Sequence, residues 1–290
     1  MKKFLSLAFA SLLAACSPPG LLDTLDKATP GESGGKVGAS IAFGDHAQAL
    51  DVWRRGPAKS GGAPVLIFFH GGGWVKGSRG EYGWAARAYA SKGFVVVVPD
   101  YRKVPRATFP AFVEDGADAV RWTKDNIARF GGDPSRIAIA GHSAGAHTVA
   151  MLTLDPQWLA KAGAPEAVKA AVGLSGPYDF YPFTGRSVEA MGGWPRPQET
   201  QPLAYARKDA PPMMLVTGTT DTTVRPKNAR NLAAKLKALG APVELKEYAG
   251  QGHEDIAMAL SLPFRGKSPV LEDTAAFLNA RLAKEPPPAQ

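Results

Sequence analysis

Five short segments of this chain are apolar along nearly their whole length. They are Pro64–Phe69 (PVLIFF), Phe94–Val98 (FVVVV), Arg136–Ala140 (RIAIA), Val168–Leu174 (VKAAVGL) and Met213–Thr217 (MMLVT). A strand with one wet face alternates, whereas a strand buried on both faces reads as a continuous apolar run. The intervening stretches carry the helical period. Phe112–Arg129 spaces Val113, Ala117, Val120, Ile127 and Phe130 along one face and stops at Gly131-Gly132. Glu81–Lys92, Ala144–Leu154, Pro226–Leu239 and Pro269–Leu282 read as helices, the first and third closed by Gly93 and Gly240. Ala49–Arg54 alternates and is expected as a half-exposed early strand, and Val243–Tyr248 as a late one. Buried strands alternating with helices predict an α/β fold with a mostly parallel central sheet and helices on both faces. Ligands in such sheets bind beyond the carboxyl ends of the strands.

Two glycine motifs fall at those ends. Gly141-His142-Ser143-Ala144-Gly145 is a G-x-S-x-G between strand and helix, where glycines let the chain turn sharply and expose the Ser143 hydroxyl. His70-Gly71-Gly72-Gly73-Trp74 directly follows PVLIFF, and its flexible backbone can aim N–H groups at a developing oxyanion. Gly72, Gly73 and Ala144 are the candidate donors. A serine hydroxyl needs a base. Of the five histidines, His46 precedes the first strand, His70 opens the glycine loop, His142 adjoins the serine and His147 lies inside the next helix. His253 sits in a loop after the Val243–Tyr248 strand, late in the chain, and suits the base. Asp221 follows the Met213–Thr217 strand and suits the acid that orients the imidazole. Asp100 precedes the serine motif; Asp179 fits the order Ser–Asp–His, but the strand before Asp221 immediately precedes the histidine-bearing one.

From about Ala49 to Leu282 the chain resembles α/β-hydrolases of the esterase/lipase superfamily. The nearest likeness is to the kynurenine-formamidase-like and bifunctional feruloyl/acetyl-xylan-esterase-like group. Leu50-Asp51-Val52, His70–Trp74, Pro99-Asp100-Tyr101-Arg102, Gly131–Pro134 and Gly141–His147 carry the resemblance. His142 and Ala146 set the chain outside the hormone-sensitive-lipase branch, where aspartate and glycine are usual at those places. The resemblance implies a nucleophile at Ser143, an acid at Asp221, a base at His253 and an oxyanion loop at Gly72 and Gly73. It implies hydrolysis of small acyl, aryl or acylated-sugar esters through an acyl-enzyme, with no metal and no organic cofactor. Two other readings stand beside it: an amide-type hydrolase (arylformamidase or aminopeptidase-like), and an inactive envelope binding protein. Trp74, His142, Met191 and Trp194 are the candidate pocket residues. The aromatic stretch Tyr178–Tyr205 reads equally as a small lid or as core under an irregular loop, and with no room for a large N-terminal cap the pocket is expected to be modest.

The amino terminus carries a separate message. Lys2 and Lys3 precede an apolar run from Phe4 to Ala15, 12 residues long and too short to span a bilayer. Leu13-Ala14-Ala15-Cys16 is similar to a bacterial lipoprotein cleavage site, which implies a signal over 1–15 and a lipidated Cys16. That is the chain's single cysteine, so no intrachain disulfide exists. By resemblance to bacterial lipoproteins, Ser17 after Cys16 is compatible with sorting to the outer membrane, facing the periplasm, without deciding between inner and outer membrane. Residues 16–40, rich in Gly and Pro, are expected as a flexible tether, 41–284 as the folded domain, and 285–290 as a disordered tail. A composition of 45% apolar and 21% charged residues excludes a disordered or collagen-like chain. The formal charge of +8 drops by two lysines on cleavage. With no nucleic-acid motif in the chain, the excess suits anionic lipid better than nucleic acid. The expected partners are thus an ester and a membrane; the oligomeric state is not encoded legibly.

Overall fold

The computed structural model describes residues 17–31 and 34–284. The signal segment 1–15, Cys16 and the tail 285–290 lie outside the described residues. Eight strands form one sheet in the order β1-β2-β4-β3-β5-β6-β7-β8. They are β1 (Gly35–Phe43), β2 (Gln48–Arg54), β3 (Ala63–Phe69), β4 (Val95–Pro99), β5 (Gly132–His142), β6 (Val168–Leu174), β7 (Met213–Gly218) and β8 (Val243–Tyr248). Strands β3 to β8 run parallel, while β1 and β2 pair antiparallel at one edge. The expected α/β architecture is present. The five apolar runs are the five central strands, buried at nearly every position.

Strand alternation sorts the core into two layers. Val65, Ile67, Phe69, Val95, Val97, Ile137 and Ile139 face one side. Leu66, Phe68, Val96, Val98, Ala138 and Ala140 face the other. Helices α3 (Ala111–Asn126), α4 (Ala144–Leu154) and α7 (Lys227–Ala238) cover the first layer. Helices α2 (Gly83–Ser91) and α9 (Val270–Arg281) cover the second, joined by a hydrogen bond between the Tyr89 and Thr274 hydroxyls (3.0 Å). Three shorter helices, α5 (Gln157–Lys161), α6 (Arg186–Met191) and α8 (His253–Met258), lie in the connections.

The chain leaves β3 for β4 on one side and then crosses to β5 on the other. The crevice above β3 and β5 is therefore a topological switch point, where the loops diverge and leave room for a ligand. The glycine loop after β3 and the serine after β5 both open into it.

Two expectations fail at the amino-terminal side. The segment read as a flexible tether, 16–40, contains α1 (Pro18–Ala28) and the larger part of β1, so the folded unit begins well before residue 41. In α1, Ser17 accepts the Gly20 N–H at 3.2 Å, and Pro18 and Pro19 occupy the first turn, where no N–H donor is required. The helix is then bolted down. Buried Arg87 on α2 donates to Asp23 and Asp26, both at 2.7 Å. The second oxygen of Asp26 accepts the Leu262 N–H (2.6 Å). The half-exposed reading of β2 also fails. Asp51 is buried because Lys36 (2.7 Å), the Ser40 N–H (2.8 Å) and Arg79 (3.3 Å) satisfy it.

Replacing Arg87 by methionine keeps most of the volume but removes the guanidinium from both carboxylates, leaving Asp23 with Lys27 (2.6 Å) and buried Asp26 with the Leu262 N–H. An uncompensated buried charge costs about 3–5 kcal/mol. Urea unfolding of Arg87→Met is expected to show a loss of that size, with limited proteolysis cutting first in residues 17–34.

Candidate active site

Ser143 ends the β5 turn with φ 55° and ψ −118°, a left-handed conformation that costs a residue with a side chain about 1–3 kcal/mol. The surroundings enforce it. The Ser143 N–H is tied to the Leu174 carbonyl at 2.8 Å and its carbonyl accepts the His147 N–H at 3.1 Å. A Cβ at Gly145 would overlap the Phe69 carbonyl of β3, so this glycine is what lets α4 start hard against the neighbouring strand. The hydroxyl is thereby thrust into the crevice, and the Ala144 N–H stands in the first turn of α4, without an intrahelical acceptor.

Three of the sequence-derived residues meet here. His253 Nε2 is 2.9 Å from Ser143 Oγ, and His253 Nδ1 is 2.8 Å from Asp221 Oδ2. The other carboxylate oxygen, Oδ1, accepts the N–H groups of Thr223 (2.9 Å) and Val224 (2.8 Å). Burial pushes the Asp221 carboxyl up, but hydrogen bonding and charge from His253, with the Val224 N–H, outweigh this and hold it below the usual range. His253 is the first residue of α8 rather than a loop residue. Asp255 fixes that turn by accepting the Gly252 N–H at 2.7 Å. The rejected acids are committed elsewhere: Asp179 accepts from Asn231 (2.6 Å), and Asp100 pairs with Arg79.

The glycine loop sits opposite. Gly72 has φ 128°, and a Cβ there would overlap the Lys76 carbonyl. The Gly72 carbonyl is turned back to accept Val75 and Lys76. His70 carries the loop: its ring stacks on Tyr101 (4.2 Å between centroids), and the Tyr101 hydroxyl donates to the His70 carbonyl at 2.8 Å.

A cavity of about 720 Å³ lies between the serine and this loop. Trp74 and His142 line it as expected, with Gly72, Gly73, Ser143 and His253. Met191 and Trp194 do not. Met191 is wholly buried in the core, and Trp194 packs edge-on to Phe109 with its indole N–H on Glu199. The Tyr178–Tyr205 stretch supplies Phe180 to the wall, while Tyr178 is core and Tyr181 is exposed. Sequence reading missed the opposite wall altogether: Pro18, Pro19 and Leu22 of α1, Tyr82 and Trp84, and Ala257 and Met258 of α8.

Three buried histidines brace the site. His142 Nε2–H donates to the His253 carbonyl (3.3 Å), and His147 Nε2–H to the Thr200 carbonyl (2.8 Å) while its ring meets Trp74 edge-on. Burial pushes His70 and His147 down to about 4, and burial with the adjacent His253 pushes His142 to about 3.

The chain matches the BD-FAE family over residues 50–236. It is 35% identical over 235 residues to esterase LipC of Mycobacterium tuberculosis, covering 73% of this chain and 58% of that one. It is 29% identical over 271 residues to the isoprenylcysteine alpha-carbonyl methylesterase ICME of Arabidopsis thaliana, covering 84% and 62%. The chain thus spans less than two thirds of the length of these curated relatives. Among solved structures, the apo form of Thermogutta terrifontis esterase 2 superposes with a TM-score of 0.71 at 25% identity, covering 88% of this chain and 98% of that one. A truncated carbohydrate esterase from gut microbiota shares the fold, with a TM-score of 0.71 at 20% identity, covering 81% and 91%.

The three histidines have an acid consequence. Their folded values lie below the unfolded 6.5, so as pH falls the unfolded chain takes up these protons first. Stability is expected to fall as pH drops from 6.5 toward 4, by at most about 1.4 kcal/mol per pH unit for each histidine. Urea midpoints at pH 7.5, 6 and 5 check this; equal midpoints at all three would contradict it.

Proposed function

Because the chain belongs to the BD-FAE family, we propose that it is a carboxylic-ester hydrolase working through a serine acyl-enzyme. The observation that carries the reading is the unbroken hydrogen-bond line from Asp221 through His253 to Ser143 at the cavity floor. His253 Nε2 takes the hydroxyl proton as Ser143 Oγ bonds to the ester carbonyl carbon. The oxygen of that carbonyl, now negative, faces the N–H groups of Gly72, Gly73 and Ala144; one such donor is worth about 3–4 kcal/mol in rate. The carbon–oxygen bond to the leaving alcohol breaks, and His253 gives that oxygen its proton. Water then repeats the sequence on the acyl-serine and releases the acid. Asp221 stays ionised, holds the imidazole in one tautomer and stabilises its charged form. The cavity volume of about 720 Å³ falls within the range of about 300–1,000 Å³ typical of small-molecule sites.

Attachment to the cell envelope through a lipidated Cys16 belongs to the same proposal. It rests on the sequence of residues 1–16 and on the preference of several acyl chains for stable anchoring.

Three experiments test these readings. With p-nitrophenyl butyrate, Ser143→Ala and His253→Ala are expected to lose about 10³-fold or more in kcat while folding normally, with Asp221→Asn also strongly impaired. A fluorophosphonate should label wild type and spare Ser143→Ala; a Ser143→Ala enzyme near wild-type rate rejects the nucleophile. In a bacterial host, Cys16→Ser is expected to move the protein out of the detergent-extracted membrane fraction, and unchanged fractionation rejects the anchor.

A further inference from the structure

The cavity has two apolar sides that belong to different layers of the molecule. Trp74 and Phe180 pack with the layer of Ile67 and Phe69. Leu22, Tyr82, Trp84, Ala257 and Met258 pack with the layer of Leu66 and Phe68. Both sets line the one cavity, which therefore straddles the carboxyl edge of the sheet, with Ser143 and the glycine loop also in its wall. An ester has two halves joined at the reacting carbon, so an attacked carbonyl at Ser143 can send one half toward each layer.

We propose that α1 builds a binding subsite on the second side, which takes the longer apolar half of the ester, a medium-length alkyl or arylalkyl group, with Leu22 as its length gauge. The inference rests on the ester-hydrolase reading above. Leu22 is only 6% exposed yet reaches the cavity wall beside Pro19, and Met258 lies in the same wall from α8. The helix that carries Leu22 is not a loosely laid strap: the Arg87 clamp and the Asp26–Leu262 hydrogen bond fix its position. A rigid wall gives a definite end to the groove, and a definite end gives length selection. Until that end is reached, each methylene buried contributes about fourfold in affinity, and beyond it the gain stops.

The test is the profile of kcat/KM for p-nitrophenyl esters from acetate to decanoate, using the full chain. Leu22→Ala is expected to move the peak to longer esters. Leu22→Trp should cut the octanoate-to-acetate ratio by about tenfold or more, the equivalent of two buried methylenes. Met258→Trp fills the same groove from α8 and should shift the ratio the same way, which covers the case in which Leu22→Trp dislodges the helix. Leu25→Ala, exposed on the same helix, should leave the profile as in wild type. Binding is read separately in Ser143→Ala by quenching of tryptophan fluorescence with p-nitrophenyl hexanoate, where Leu22→Trp should raise Kd. Wild-type length profiles and unchanged Kd in all three groove variants overturn the subsite. A wild type that hydrolyses no ester overturns the function instead, and the quenching series still decides the subsite.

Discussion

One steric junction sets the geometry of the whole site: the start of α4 lies against the end of β3. A side chain at Gly145 would collide with the Phe69 carbonyl, so glycine alone permits the approach, and the approach holds Ser143 in its left-handed conformation. The strain is local, and the parallel sheet on either side of it meets the cost. Strand β5 is hydrogen-bonded along both edges and buried on both faces, so the turn has nowhere to relax. The serine is thus placed by the backbone, and the remaining loops are arranged around a fixed point.

The histidines illustrate how a small set of one residue type is divided by environment. Three are sealed in, held neutral by burial, and used as hydrogen-bonding struts to carbonyls or as aromatic packing. His253 alone among the buried ones faces a carboxylate on one nitrogen and a hydroxyl on the other. The struts also tie the site to distant parts of the chain. His147 reaches the carbonyl of Thr200 and so holds the long β6–β7 connection, Phe180 included, against the wall residue Trp74. The site is preorganised by contacts that contain no reacting atom.

Much of this was legible in the sequence, for identifiable reasons. The central strands announced themselves because burial on both faces leaves no polar alternation. Ser143, Asp221 and His253 were found because each follows a strand at the same edge of the sheet. The edge strand β1 was silent: Gly35, Gly38 and Ser40 carry no apolar signal, and only its last residue, Phe43, is buried. Helix α1 was misread because Pro18-Pro19-Gly20 looks like a breaker, although prolines are welcome in a first turn. Its anchoring partner, Arg87, lies 61 and 64 residues away in sequence, a separation that no local pattern records. Met191 and Trp194 were placed in the pocket on aromatic and apolar character alone, which cannot distinguish a wall from a core.

Helix α1 gives the molecule an orientation. Pro18 is an exposed member of the cavity wall, and Cys16 stands two residues before it, a span of about 7 Å at full extension. If Cys16 is the attachment point proposed above, the surface that holds it lies beside the cavity wall that Pro18 forms. An ester carried by that surface would then have a short path to Ser143.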